Sequence, residues 1–188
     1  MRTSEATLAS AGPSTGKVGM WMFLATDAMG FAGLLMAYAV LRVGAVDWPD
    51  PSERLIVSQA AYMTAALVIS SFTMTLAVRA RGATARLVWL AVTIVLGLVF
   101  LAGQMTEYQH LVAGPHPMGL SKDLFAGTFY AITGYHGLHV LAGLVILIAM
   151  LLAGGGRGRS LEVAAIFWHF VDLAWIPIFS LLYLFPVT

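Results

Sequence analysis

The chain has 188 residues, 60% of them apolar and only 10% charged, with a formal net charge of +1. Soluble domains carry roughly 25% charged residues; here the apolar residues lie in long runs, so the chain reads as all-α, an integral membrane bundle. The absence of cysteine excludes disulfides, thiolate metal sites and cysteine nucleophiles, and a charge near zero argues against nucleic acid as a partner.

Residues 1–16 are polar and small, without a basic start, short apolar segment and cleavage site. They are expected to form a disordered tail, not a cleaved signal peptide, ahead of a single membrane domain over 17–188. The first predicted span covers 18–41. In it Thr26, Gly30, Gly33 and Ala37 recur at helical spacing, a small-residue seam where another helix can come close. Asp27 sits beside the seam. An acid there is a proton site, a hydrogen-bonded packing contact, or a contact to a lipid headgroup or partner, and packing carries the most weight.

A loop over 42–55 follows, with Arg42, Pro49, Pro51 and Trp48; Trp48 suits an interfacial anchor. The second span, 55–78, carries Ser58, Thr64, Ser70, Ser71, Thr73 and Thr75, whose hydroxyls can bond back to their own helix. The third span, 87–108, puts Gly97, Phe100, Gln104 and Glu107 near one face, with Gln104 and Glu107 toward the outer end. The loop 109–122 holds His110 and His116 without a third ligand nearby, which is weak support for a metal. The fourth span, 124–152, contains His136 and His139, and its Gly134 and Gly137 are candidates for close helix contact. Gly154-Gly155-Gly156 marks a turn.

The fifth span, 161–185, contains Glu162, Trp168, His169, Asp172 and Trp175, with Pro177 expected to kink it. His169 and Asp172 are three apart and share a face, as do Trp168 and Trp175, seven apart. Such a face has to be covered. Lys and Arg orient the five spans. With the N-terminus cytoplasmic, seven (Arg2, Lys17, Arg79, Arg81, Arg86, Arg157, Arg159) fall inside and three (Arg42, Arg54, Lys122) outside, which places the C-terminus outside. Depth by rise per residue then puts Asp27 about 14 Å and His169 about 12 Å from the inner helix ends. Asp27, His139, His169 and Asp172 are expected in one inner layer, with His136 nearer the midplane.

Among functional classes, a bis-histidine membrane cytochrome would use His139 and His169 on facing helices. A metal-dependent hydrolase lacks its helical His-Glu-x-x-His cluster. A transporter or channel stays open, because intramembrane acids mark ion paths. No internal repeat supports an inverted-repeat transporter.

Four stretches carry a family resemblance in the right order. They are Gly19-Met20-Trp21-Met22-Phe23-Leu24-Ala25-Thr26-Asp27, Gln104-Met105-Thr106-Glu107-Tyr108, Thr133-Gly134-Tyr135-His136-Gly137-Leu138-His139-Val140 and Trp168-His169-Phe170-Val171-Asp172-Leu173-Ala174-Trp175. From about Lys17 to Phe185 the chain resembles subunit III of the haem–copper terminal oxidases (cytochrome c oxidase subunit 3 family) in its short five-helix bacterial form. The resemblance implies a non-catalytic subunit of the bacterial inner membrane, with no cofactor of its own and with haem and copper in partner subunits. It implies contact with oxidase subunit I and other subunits, bound phospholipids, and support of proton uptake and of turnover stability in aerobic electron transport, with membership of a larger respiratory supercomplex left open. On this resemblance Asp27 takes the family's intramembrane acid position, where many relatives have Glu, with His139 expected as its hydrogen-bond partner. His169, Asp172 and Glu162 are expected to fix the fifth helix. The donor is cytochrome c on family frequency, with quinol as the alternative.

Overall fold

In hydrocarbon a backbone has to satisfy its own polar groups, so apolar spans become helices. The computed structural model describes residues 15–46, 48–49, 55–113, 124–156 and 158–185. Among these residues it has helices α1 (Thr15–Gly44), α2 (Val57–Arg79), α3 (Ala83–Ala113), α4 (Leu124–Leu152) and α5 (Arg159–Phe179). All five are long and apolar enough to cross a membrane, α5 together with the turn that follows it. The expected spans are present, but α1 and α3 run several residues further at both ends. Arg42, Gln109 and His110 are therefore helical, not loop, because a helix does not stop where its apolar run stops. The tail up to residue 14, Asp47, Asp50–Arg54, the loop 114–123 with His116, and Arg157 lie outside the described residues.

Two helix ends show why the chain turns where it does. After α4, the Gly155 N–H reaches Met150 O at 2.8 Å and the Gly154 N–H reaches Leu151 O at 3.1 Å. This is a Schellman closure, and Gly154 takes the left-handed φ of 86° it needs. In α5, Pro177 lies inside the helix, and the Ser180 N–H beyond it is shared between the carbonyls of Ile176 and Pro177. The departure from α-geometry follows as one wider, π-type turn over Ser180–Leu184, where the Phe185 N–H bonds Ser180 O at 2.9 Å. Arg42 then ties the end of α1 to this terminus, donating to Phe185 O and to Tyr38 Oη, each at 3.0 Å.

α2 and α3 pack along each other as a hairpin, α5 lies against α2 and α4, and α1 touches α4 and α5. Lys17 and Glu162 form an ion pair at the first turns of α1 and α5, so these helices start at the same membrane face. Only Leu24, Asp27, Phe31 and Tyr38 of α1 are buried, which makes it the most peripheral helix.

The centre is Trp168, fully buried. Its ring lies in a slot between two glycines. A Cβ built on Gly97 of α3 would stand 2.8 Å from Trp168 Cη2, and one on Gly143 of α4 would stand 2.8 Å from Cε3. Its indole N–H donates to Ser70 Oγ of α2 at 3.0 Å. Gly103 of α3 similarly admits Met63 of α2, with 2.8 Å to Cγ. The close approaches are thus at Gly97, Gly103 and Gly143. Of the expected contact glycines, Gly30 is met only by the Tyr135 hydroxyl at 3.2 Å and Gly134 only by the Tyr108 hydroxyl at 3.8 Å. Among the described residues, a Cβ built on Gly33 or Gly137 would meet nothing from a neighbouring element within 4 Å. The α1 seam is exposed at Thr26, Gly30, Gly33 and Ala37, because α1 turns its larger residues Leu24 and Phe31 inward. Trp48 is half-buried, edge-on to Tyr38 at 5.6 Å and to Phe125 at 5.8 Å, at the end of the bundle.

These slots predict a contrast. Gly97→Val is expected to destabilise the bundle by about 1–3 kcal/mol through overpacking against Trp168 and Leu144. Gly33→Val leaves stability of the isolated chain unchanged to within about 0.5 kcal/mol, as surface substitutions do. Thermal unfolding of both variants in the same detergent checks it, and equal losses would show that the slot is not what matters.

Candidate functional site

Asp27 comes from the inward face of α1 and is buried against α4. Tyr135 Oη donates to Asp27 Oδ1 at 2.7 Å, and His139 Nε2 lies 3.2 Å from the same oxygen. Tyr135 and His139 are one turn apart on α4, and His139 Nδ1 is 2.8 Å from Tyr135 O. Each ring nitrogen of His139 therefore faces an oxygen. Phe31, one turn after Asp27, stands edge-on to Tyr135 at 4.8 Å and tilted to His139 at 5.3 Å, which shields the pair. Asp27 Oδ2 is buried without a hydrogen-bond partner. The sequence named Asp27 and His139, and the two meet. Tyr135, the shorter contact, was missed, although it stands one helical turn before His139.

The four residues expected at one depth fall on two sides of the bundle. Asp27 and His139 lie on the α1–α4 side, whereas His169 and Asp172 lie on α5 toward α2. His169 Nδ1 is 2.6 Å from Ser71 Oγ. Asp172 is buried beside Ser71, and neither of its carboxyl oxygens has a hydrogen-bond partner of sound geometry. Depth along a helix cannot reveal which way round the axis a residue points, and that decided the split. Glu162, expected within the membrane, is at the first turn of α5, partly exposed and paired with Lys17.

Glu107 and Gln104, near the C-terminal end of α3, are buried. Glu107 is 1% exposed and Gln104 4%, both inside the bundle. Glu107 Oε2 accepts from Tyr183 Oη at 2.8 Å and from Gln104 Nε2 at 3.3 Å. Nearby, Tyr108 Oη and Thr133 Oγ1 are 2.7 Å apart. His136 is fully buried between the rings of Phe100 and Trp175, at 5.5 and 4.9 Å, with no hydrogen bond at either nitrogen.

The hydroxyls of α2 do bond back to their own helix, Thr64 to Ala60 O at 2.8 Å and Ser70 to Leu67 O at 2.7 Å. They also accept from α5: Trp175 Nε1 donates to Thr64 Oγ1 at 2.9 Å, as Trp168 does to Ser70. The signal was in the spacing. Thr64 and Ser70 are six apart and their donors Trp175 and Trp168 seven apart, about two turns on each helix, so two antiparallel helices can match them.

A haem between His139 and His169 does not fit these residues. One imidazole is engaged by Asp27 and Tyr135 O, the other by Ser71, on different sides of α5. His136 is enclosed by aromatic rings. Among the described residues no three or more His, Asp or Glu side chains are grouped as ligands for a metal ion. A cleft of about 870 Å³ lies between the starts of α1 and α5 and the end of α4, lined mostly by apolar residues such as Met20, Ile146 and Phe167, with Arg159 and Ser160 among the polar ones.

Comparison with known proteins gives a consistent result. The family model described as cytochrome c oxidase subunit III matches residues 9–187. The chain is 36% identical to cytochrome c oxidase subunit 3 of Synechocystis sp., over 92% of this chain and 76% of that protein. It is 34% identical to the protein of the same name from Alkalihalophilus pseudofirmus, over 90% and 86%. It is also 33% identical to cytochrome bo(3) ubiquinol oxidase subunit 3 of Pseudomonas aeruginosa, over 88% and 83%.

The Asp27 cluster predicts that Tyr135→Phe destabilises the bundle by about 1–3 kcal/mol, since a buried carboxyl loses its shorter donor. Tyr135 and His139 share one oxygen, so their effects should not add. Unfolding of Tyr135→Phe, His139→Leu and the double variant measures this, and strict additivity would mean that the shared oxygen does not couple them.

Proposed function

The chain belongs to the cytochrome c oxidase subunit III family, and on that premise we propose that it is the non-catalytic subunit III of a proton-pumping haem–copper oxidase, packed on the catalytic subunit I. The family match over residues 9–187 carries the reading. The polar groups are consistent with it: in the bundle interior Asp27, Glu107 and His169 are engaged by neighbouring helices and His136 is enclosed by aromatic rings, so the chain supplies structure and proton-holding groups to a partner. Haem and copper belong to the partner subunits. The five spans run through the bacterial inner membrane with the N-terminus cytoplasmic, which the distribution of Lys and Arg favours.

Within this reading Asp27 is the group nearest to proton chemistry. Its Oδ1 is held by Tyr135 and faced by His139, while Oδ2 has no partner. A proton held there can pass only to a neighbour within hydrogen-bond reach, which makes Asp27, Tyr135 and His139 a positioned set. It supports proton uptake by the complex and its stability in turnover. The cleft beside α1, α4 and α5 takes phospholipid: its apolar lining suits acyl chains, and Arg159 suits a phosphate. The electron donor is cytochrome c. Quinol is the second reading, favoured by the match to the ubiquinol oxidase subunit.

Mild-detergent purification by a tag on this chain tests the assignment. Haem and copper spectra are expected in the co-purified complex and absent from the chain after its partners are stripped. Retention of haem by the stripped chain, or no haem protein at all, overturns it. The complex should oxidise reduced cytochrome c, and oxidation of quinol alone would decide for the second reading. Asp27→Ala is expected to leave haem content intact and to shorten the working life of the complex several-fold or slow its proton uptake. Unchanged lifetime and pumping would reduce Asp27 to packing.

A further inference from the structure

α5 is held from two sides. Phe167 and Phe170 meet Phe23 and Phe31 of α1 at 6.3 and 6.1 Å. Trp168, His169 and Trp175 bond Ser70, Ser71 and Thr64 of α2. Between these contacts one stripe of α5 stays open: Ile166 and His169 are half-buried, while Leu173 and Ile176 are 63% and 47% exposed. α1 and α2 flank this stripe, so α5 forms the floor of a groove running along the membrane normal.

The groove is not simply apolar. His169 reaches it about 15 Å along the axis from Arg159, near the middle of the span. Only its Nδ1 is engaged, by Ser71. One turn further along α5 is the carboxyl of Asp172, 7% exposed and beside Ser71, with neither oxygen in a hydrogen bond of sound geometry among the described residues. Acyl chains cannot satisfy an imidazole or a carboxyl at this depth. A lipid headgroup cannot serve either, since it stays in the interfacial layer outside the ~30 Å core. A transmembrane helix can reach it, bringing a polar side chain to mid-membrane while its apolar surface covers Leu173 and Ile176. Interhelical hydrogen bonds of this kind hold membrane helices together.

We propose that the α5 groove between α1 and α2 docks a transmembrane helix of a neighbouring oxidase subunit, which presents a hydrogen-bonding side chain to the Ser71–His169–Asp172 cluster. This rests on the chain being part of an oxidase complex, and it names the face used.

The chain has no cysteine, so Leu173→Cys supplies a single attachment point for a benzophenone photocrosslinker in the intact complex. Val145→Cys, exposed on α4, is the control. First, the tagged wild-type chain has to bring down a haem–copper protein; failure there overturns the complex assignment and this proposal with it. Given co-purification, Leu173→Cys is expected to crosslink to a transmembrane peptide of another subunit by mass spectrometry, at least five-fold more than the control. His169→Leu should lower retention of the chain in the washed complex several-fold, and His169→Gln should restore most of it. Crosslinks only to phospholipid, or to a second copy of this chain, overturn the proposal while the complex assignment stands. So does full retention with His169→Leu.

Discussion

The bundle depends on one large ring fitted into two missing side chains. Lipid tails are as apolar as leucine, so helices in a bilayer gain little by hiding apolar surface and cohere through close packing and hydrogen bonds. Trp168 uses both. Its ring occupies the slots at Gly97 and Gly143, and its N–H reaches Ser70. From α5 it therefore touches α2, α3 and α4 at once. Trp175 repeats the arrangement two turns on, against Phe100 at 4.8 Å and Thr64. Only α1 is outside this system.

That division separates scaffold from site. α2 to α5 are locked by indoles, glycine slots and hydroxyls. α1 is attached by a few aromatic contacts, the Lys17–Glu162 ion pair and the Arg42 clasp on Phe185 O. The acid that matters most for the proposed role, Asp27, is on this lightly held helix, and its partners Tyr135 and His139 are on the rigid α4. A polar contact between a peripheral helix and a fixed one both secures the helix and leaves the acid on the outermost helix of the bundle. The second acid, Asp172, is buried on the opposite flank of α5 with no bond of its own. The two acids expected in one layer thus serve different faces of the molecule.

The sequence by itself determined the membrane class, the five spans, the family motifs and most of the residues that carry polar chemistry. Charge depletion and run length act locally, and a helix in hydrocarbon has no alternative, so these features are readable one segment at a time. The Asp27–His139 pairing was also expected, on the family resemblance; depth by a fixed rise per residue only placed both in a layer that held His169 and Asp172 as well. Only the tertiary structure decided azimuth: which way each side chain points around its helix. That placed His169 with Ser71 and away from Asp27, took Glu107 into the core with Tyr183, and left the Gly33 and Gly137 faces empty while Gly97, Gly103 and Gly143 took the close contacts. A small residue is a condition for close approach, but the approach itself needs a large ring opposite, and that partner lies on another helix far along the chain.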